Sequence, residues 1–144
     1  MILLDINVVS ELAKPAPDPA VAAWIACQPD EDLQLSVLTL GEIKKGADLL
    51  DPGPRRERIE HWLSGLAKGF GDRILPVDRA IALQWGTIVA NGRRTGRARP
   101  PIDSLLAATA ICHGLMLATR NVKDFEGTGA VVVNPWEFHR AQNP

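Results

Sequence analysis

Met1-Ile2-Leu3-Leu4-Asp5-Ile6-Asn7-Val8-Val9-Ser10-Glu11-Leu12 opens the chain. Its first four residues are apolar, too few for a helix or a membrane span, and they fit a strand buried on both faces of a parallel sheet. The run stops at Asp5. In open α/β sheets ligands sit in the crevice beyond the carboxyl ends of the strands, so an acid at that end points at a site rather than at the core. Two plainer duties compete for these residues: Asp5 as cap of a short helical turn beginning near Val8, and Asn7 as a turn residue.

Outward from this stretch, strand and helix patterns alternate. Asp18 and Pro19 open a helix as N-cap and first residue, with Val21, Trp24 and Ile25 on one face. Leu33 to Val37 alternates as a strand. Thr39-Leu40-Gly41-Glu42 reads as a capping box for a helix to Leu50, which Asp51-Pro52-Gly53-Pro54 breaks. From Arg55 to Phe70 a helix carries Ile59, Trp62, Leu63 and Leu66 at three- and four-residue spacing. Ile74 to Val77 is a short strand, and Asp78 caps a helix reaching Asn91. The loop from Asn91 to Pro101 holds Arg93, Arg94, Arg97 and Arg99 and no acid. Asp103 starts an apolar helix that ends at His113-Gly114. Leu115 to Thr119 and Ala130 to Val133 are the last strands, with a loop from Arg120 to Thr128 between them. Strands separated by helices of this length predict an α/β fold, with a mainly parallel central sheet and helices on both faces. At 144 residues this is one domain, 1–144, able to bury roughly 68–70% of its unfolded surface.

Hydrophobic residues make up 46% and charged residues 23%, which excludes disordered and collagen-like classes. The two cysteines, Cys27 and Cys112, lie in apolar helical contexts and are expected as buried, reduced thiols of a cytoplasmic protein. No charged n-region or long apolar run precedes Asp5 and no stretch approaches the ~18 apolar residues of a span, so neither secretion nor membrane insertion is expected. A net charge of -1 provides no overall attraction to nucleic acid, so a partner of that kind must be engaged locally.

Asp5, Glu42, Asp103 and Asn121 recur at one structural address, the end of a strand or the first turn of the following helix. Taken singly, Glu42 completes a capping box, Asp103 serves as an N-cap after Pro100-Pro101, and Asn121 is a turn residue. Those readings do not explain why all of them fall on one edge of the sheet. Three carboxylates there repel one another unless a cation neutralises them, and oxygen ligands without cysteine or histidine suit Mg²⁺ or Mn²⁺ rather than zinc. Helix N-termini beneath Glu42 and Asp103 favour the ionised carboxylates. Arg93, Arg94, Arg97 and Arg99 supply local positive charge for a phosphodiester backbone. His61, His113 and His139 read as structural.

Four blocks carry a resemblance: residues 1–11, the Glu42 segment, Ile102-Asp103-Ser104-Leu105-Leu106-Ala107-Ala108-Thr109-Ala110, and Ala118-Thr119-Arg120-Asn121-Val122-Lys123-Asp124-Phe125. In this order and spacing, and with the ending Val133-Asn134-Pro135-Trp136, they resemble the motif blocks of PIN-domain proteins, nearest to the VapC and FitB-like toxins of type II toxin-antitoxin pairs. The resemblance implies a three-layer PIN-like fold and a Mg²⁺-dependent endoribonuclease held inactive by a cognate VapB-type antitoxin. It implies Asp5, Glu42 and Asp103 as metal-binding catalytic acids, Asn121 at the place of a fourth acid, Asn7 supporting Asp5, a homodimer, and operator DNA bound only through the antitoxin. In such pairs an antitoxin arginine commonly enters the acidic cleft, where a guanidinium replaces a cation.

Two departures stand out. Ile6 occupies a position usually held by Thr or Ser, and Asn121 keeps a carbonyl but no charge; Asp124 is near enough in sequence to compensate. The expected reaction is hydrolysis of an RNA phosphodiester by a metal-activated water, with Glu42 or Asp103 accepting its proton. Three rivals compete. A haloacid-dehalogenase-type phosphatase requires a second Asp where Asn7 stands; a catalytically degenerate PIN-fold module would act only through an antitoxin; and an acid pocket made of capped helix ends would bind no metal.

Overall fold

The structure, a computed structural model, describes residues 1–139, so the last five residues of the expected 1–144 domain lie outside it. Five short strands form: β1 (Ile2–Leu4), β2 (Leu33–Ser36), β3 (Ile74–Leu75), β4 (Met116–Ala118) and β5 (Val132–Val133). They make one wholly parallel sheet in the order β3-β2-β1-β4-β5. Six helices connect them: α1 (Ile6–Leu12), α2 (Pro19–Ala26), α3 (Val37–Asp48), α4 (Pro54–Phe70), α5 (Arg79–Arg94) and α6 (Pro101–His113).

Alternation along the strands divides the core in two. Leu3 and Leu117 face a cluster built with Ile81 and Ile88 of α5 and Leu106, Ala107 and Ala110 of α6. Ile2, Leu4 and Ala118 face the opposite side, against Val8 and Val9 of α1, Val21 and Trp24 of α2, and Trp62 and Leu66 of α4. Helices thus cover both faces, the three-layer α/β arrangement, and each fully buried Leu contributes about 1.5–3 kcal/mol.

The connections decide where a site can form. From β1 the chain moves to β2 on one side, and from β4 it moves to β5 on the other. The carboxyl ends of β1 and β4 therefore flank the point where the winding reverses, the place where open α/β sheets leave a crevice.

Several local expectations are corrected. Helix α3 begins at Val37, directly after its N-cap Ser36, whose hydroxyl accepts the Leu38 N–H at 3.1 Å. Thr39 and Glu42 form no capping box; Thr39 is buried inside the helix and Glu42 sits beyond its first turn. The macrodipole falls off within one turn, so its support reaches Asp103 but not Glu42. Asp103 is not an N-cap either: α6 has Pro100 at that position and Asp103 in its first turn. Helix α5 continues to Arg94 instead of stopping at Asn91, because basic residues in a last turn favour helix there. Cys27 and Cys112 are free but exposed, since both fall at solvent-facing helix ends. Among the described residues no helix is long and apolar enough to cross a membrane.

Candidate active site

Asp5 follows β1 and continues its ladder, donating its N–H to the Ala118 carbonyl at 2.9 Å. The carboxylate is thereby held over the gap between β1 and β4, almost wholly buried. Oδ1 accepts the Ile6 N–H at 2.7 Å, so Asp5 does cap α1, but that employs only one oxygen. Oδ2 accepts the Thr119 hydroxyl at 2.7 Å and the Asn7 amide at 3.3 Å. The Asn7 amide also lies 3.2 Å from Thr119 Oγ1, while Asn7 Oδ1 accepts the Arg120 N–H at 3.3 Å. Thr119 Oγ1 in turn accepts the Asn121 N–H at 3.1 Å.

Thr119 is a site residue that the sequence motifs do not single out. A signal for it exists all the same: a hydroxyl residue ending an apolar strand, two positions before Asn121, at the address shared by Asp5. Asn7 does what the resemblance implies, supporting Asp5 through its amide. Glu11, in the same block, works elsewhere. Its carboxylate accepts the Asp18 N–H at 2.9 Å and meets Lys14 at 2.6 Å, pinning the turn between α1 and α2.

Electrostatics join the remaining acids. Burial raises the pKa of Asp5 most, with the Asp124 charge adding to the rise and the bonds from Thr119 and Ile6 opposing it. Glu42 is raised by burial and then by the charges of Asp5 and Asp103, against a small opposing effect of Lys45. Asp103 is raised by burial, then by Asp5 and Asp124. Asp5, Glu42, Asp103 and Asp124 therefore share one field at the carboxyl edge of the sheet. Glu42 Oε1 is buried without a hydrogen-bond partner, as is the Thr39 hydroxyl one turn earlier. Such an oxygen is costly unless something positive meets it. Among the described residues no three of His, Cys, Asp or Glu already stand at a separation that would enclose an ion.

Asn121 precedes the 3₁₀ turn Val122–Phe125, which contains Asp124, and its side chain makes no cap bond. Of the four arginines, Arg93 and Arg94 are exposed in the last turn of α5. Arg97 and Arg99 instead point at the backbone of residues 123–126. They are not free cations of an open loop. His61 lines a groove with Asp30, Leu33, Trp62 and Phe70 that includes none of Asp5, Glu42, Asp103 or Asp124, and His113 ends α6.

The family model described as PIN domain matches residues 2–130. The chain belongs to the PIN-domain family. Its likeness is to the VapC and FitB toxins within that family. This PIN-domain chain is 39% identical over 138 residues to "VapC ribonuclease Y4jK" of Sinorhizobium fredii, covering 95% of the chain and 99% of the relative. It is 37% identical over 140 residues to "Toxin FitB" of Neisseria gonorrhoeae, covering 94% and 99%. Among solved structures, "Structure of FitAB bound to IR36 DNA fragment" superposes with a TM-score of 0.88 at 33% identity, covering 98% of this chain and 99% of that one. As a PIN-domain protein it presents its acids where the reversal of strand order opens the crevice, which is why residues from both ends of the sequence meet there.

Proposed function

We propose that this chain is a Mg²⁺-dependent endoribonuclease, the toxin of a type II toxin-antitoxin pair. The observation that carries the reading is Glu42: a carboxylate with one oxygen buried and unpartnered, in the field of Asp5 and Asp103. The donor set is all oxygen and fits a hard divalent cation, Mg²⁺ with Mn²⁺ as substitute. Asp5, Glu42 and Asp103 would hold it, with the Asn121 carbonyl contributing no charge. When bound, the ion supplies Lewis acidity toward water and toward charge developing on the phosphate.

The chain's own residues do the rest. The Thr119 and Asn7 side chains and the Ile6 N–H fix the Asp5 carboxylate, so its oxygens would meet a cation without rearrangement. Glu42 or Asp103 takes the proton of the attacking water; burial first, then the charge of Asp5, raises both carboxyls above their ordinary values and favours proton uptake by either. The water oxygen bonds to phosphorus, the bond from phosphorus to the leaving ribose oxygen breaks, and that oxygen takes a proton from solvent. Exposed Arg93 and Arg94, at the end of α5 from which the chain turns into α6, meet the RNA backbone. A relative named as a ribonuclease supports the activity, and a relative named as a toxin supports the biological class. The FitAB structure with bound DNA supports a cognate antitoxin that brings the pair to operator DNA. The same reading makes the chain a cytoplasmic homodimer.

A second reading rests on two residues: Ile6 offers no hydroxyl and Asn121 no charge, as suits a degenerate module acting only through an antitoxin. Cleavage of a mixed RNA pool decides between them. Purified protein is compared with Asp5→Asn and Asp103→Asn in Mg²⁺, in Mn²⁺ and in chelator. The nuclease cuts only with metal and loses cutting in both variants. Equal cutting by all three proteins, or none by folded wild type freed of antitoxin, defeats it.

A further inference from the structure

The short link between α5 and α6 contains Arg97 and Arg99, and both side chains reach across to the segment that carries Asp124. Arg97 donates to the Lys123 carbonyl and stands 3.7 Å from the Glu126 carboxylate. Arg99 donates to the Asp124 carbonyl at 3.1 Å and to the Glu126 carbonyl. Two guanidinium groups from neighbouring positions thus bind three stations on one strip of backbone. The exposed ion pair adds little by itself; the carbonyl bonds set the geometry.

The surroundings are shaped for this contact. A Cβ on Gly92 would lie 2.6 Å from the Arg97 carbonyl and 2.9 Å from Arg99 Cγ. A Cβ on Gly127 would lie 2.9 Å from Arg99 Nη2, and Gly127 has a φ of +78°, where L side chains are strained. Two glycines from different segments leave room for one pair of arginines. Arg97 is further fixed by its N–H donating to the Gly92 carbonyl at 2.7 Å. Arg99 Nε is buried without a partner, although the residue as a whole is only half-buried.

What the link joins is the two banks of the crevice. Four residues after Arg99 comes Asp103, in the first turn of α6, and the clamped strip follows directly from Asn121 and contains Asp124. We propose that Arg99, assisted by Arg97, is a positioning residue: it braces the Asn121–Asp124 turn against the start of α6 and so sets the spacing of Asp103 and Asp124 across the crevice. The inference rests on the nuclease reading for the ion and the RNA, but the brace itself is a property of this chain. A lysine at 99 carries the charge but cannot fork to two carbonyls, so it restores the brace only in part.

The test compares wild type, Arg99→Ala, Arg99→Lys and Arg97→Ala in three readouts. These are Mn²⁺ affinity of the metal-free protein by electron paramagnetic resonance, hydrogen exchange at residues 121–126, and kcat and KM on the RNA that wild type cleaves. The brace predicts that Arg99→Ala weakens Mn²⁺ binding roughly 10- to 100-fold. It also predicts faster exchange at 121–126 but not in β1, and a lower kcat with KM changed less than about 2-fold. Arg99→Lys should fall between wild type and Arg99→Ala. Unchanged Mn²⁺ affinity and exchange in Arg99→Ala overturn the brace while leaving the nuclease standing. A raised KM with unchanged kcat and a shallower salt dependence also overturn it, by assigning Arg99 to the RNA backbone. Wild type that binds no Mn²⁺ and cuts no RNA defeats the nuclease reading and the brace's purpose with it.

Discussion

The Thr119 hydroxyl donates to Asp5 Oδ2 over 2.7 Å, joining the carboxyl ends of two neighbouring strands whose residues stand 114 positions apart. One buried hydrogen bond thereby couples the first acid of the crevice to the turn that holds Asn121. The same hydroxyl accepts the Asn121 N–H, so it orients a carboxylate and a turn together.

Removing that hydroxyl frees Asp5 without removing it. Thr119→Val keeps the shape, leaves Asp5 Oδ2 with only the 3.3 Å bond from Asn7, and should lower RNA cleavage roughly 10- to 100-fold. Thr119→Ser keeps the donor and should stay within a few-fold of wild type in the same assay. Equal activity of Thr119→Val and wild type would remove this residue from the site.

Burial and like charge raise Asp5, Glu42 and Asp103 above their ordinary values of 3.8 for Asp and 4.5 for Glu. In the interval above those values the folded chain binds more protons than the unfolded one, so these groups make metal-free protein less stable as pH rises. Protons and a divalent ion compete for the same oxygens. The increase in Tm produced by saturating Mg²⁺ should therefore grow with pH through this interval, measured by differential scanning fluorimetry. A pH-independent increment would separate the three acids from ion binding.

Asp103→Asn should show opposite effects on stability and activity. It removes one of several like charges in a half-exposed setting, worth on the order of 1 kcal/mol after solvent screening, or roughly 2–4 °C in Tm for metal-free protein. Cleavage should disappear. A lower Tm would mean that Asp103 makes a stabilising contact in the free protein.

Two glycines of α5 should respond in opposite directions to alanine. Gly86 has nothing within 4 Å of a new Cβ, so Gly86→Ala should stabilise by about 0.5–1 kcal/mol. Gly92→Ala drives a Cβ to 2.6 Å from the Arg97 carbonyl and should cost roughly 1–3 kcal/mol while loosening the Arg97 contacts. Urea unfolding of the two variants beside wild type measures both.

Much of the architecture could be read from local pattern. Leu3 and its neighbours alternate between two apolar clusters, and the α6 helix ends at Gly114 in the left-handed conformation, as the sequence around each foretold. Caps were less legible. Thr39 and Glu42 match a capping box in type and spacing, yet Ser36 starts the helix earlier, because the strand ends there and its hydroxyl accepts the Leu38 N–H. Helix ends depend on where the neighbouring strand stops, and local residue preference carries too little energy to override that.

By itself the sequence determined an α/β chain with Asp5, Glu42, Asp103 and Asn121 at strand ends or early in helices, since side-chain period and breaker residues are local properties. Only the tertiary structure decided that β4 lies beside β1 and not beside β3, which brings Thr119 to Asp5. Only it brought Arg97 and Arg99 onto the backbone of residues 123–126. Strand order and the direction of a long side chain follow from packing among distant segments, whose energies no short stretch of sequence contains.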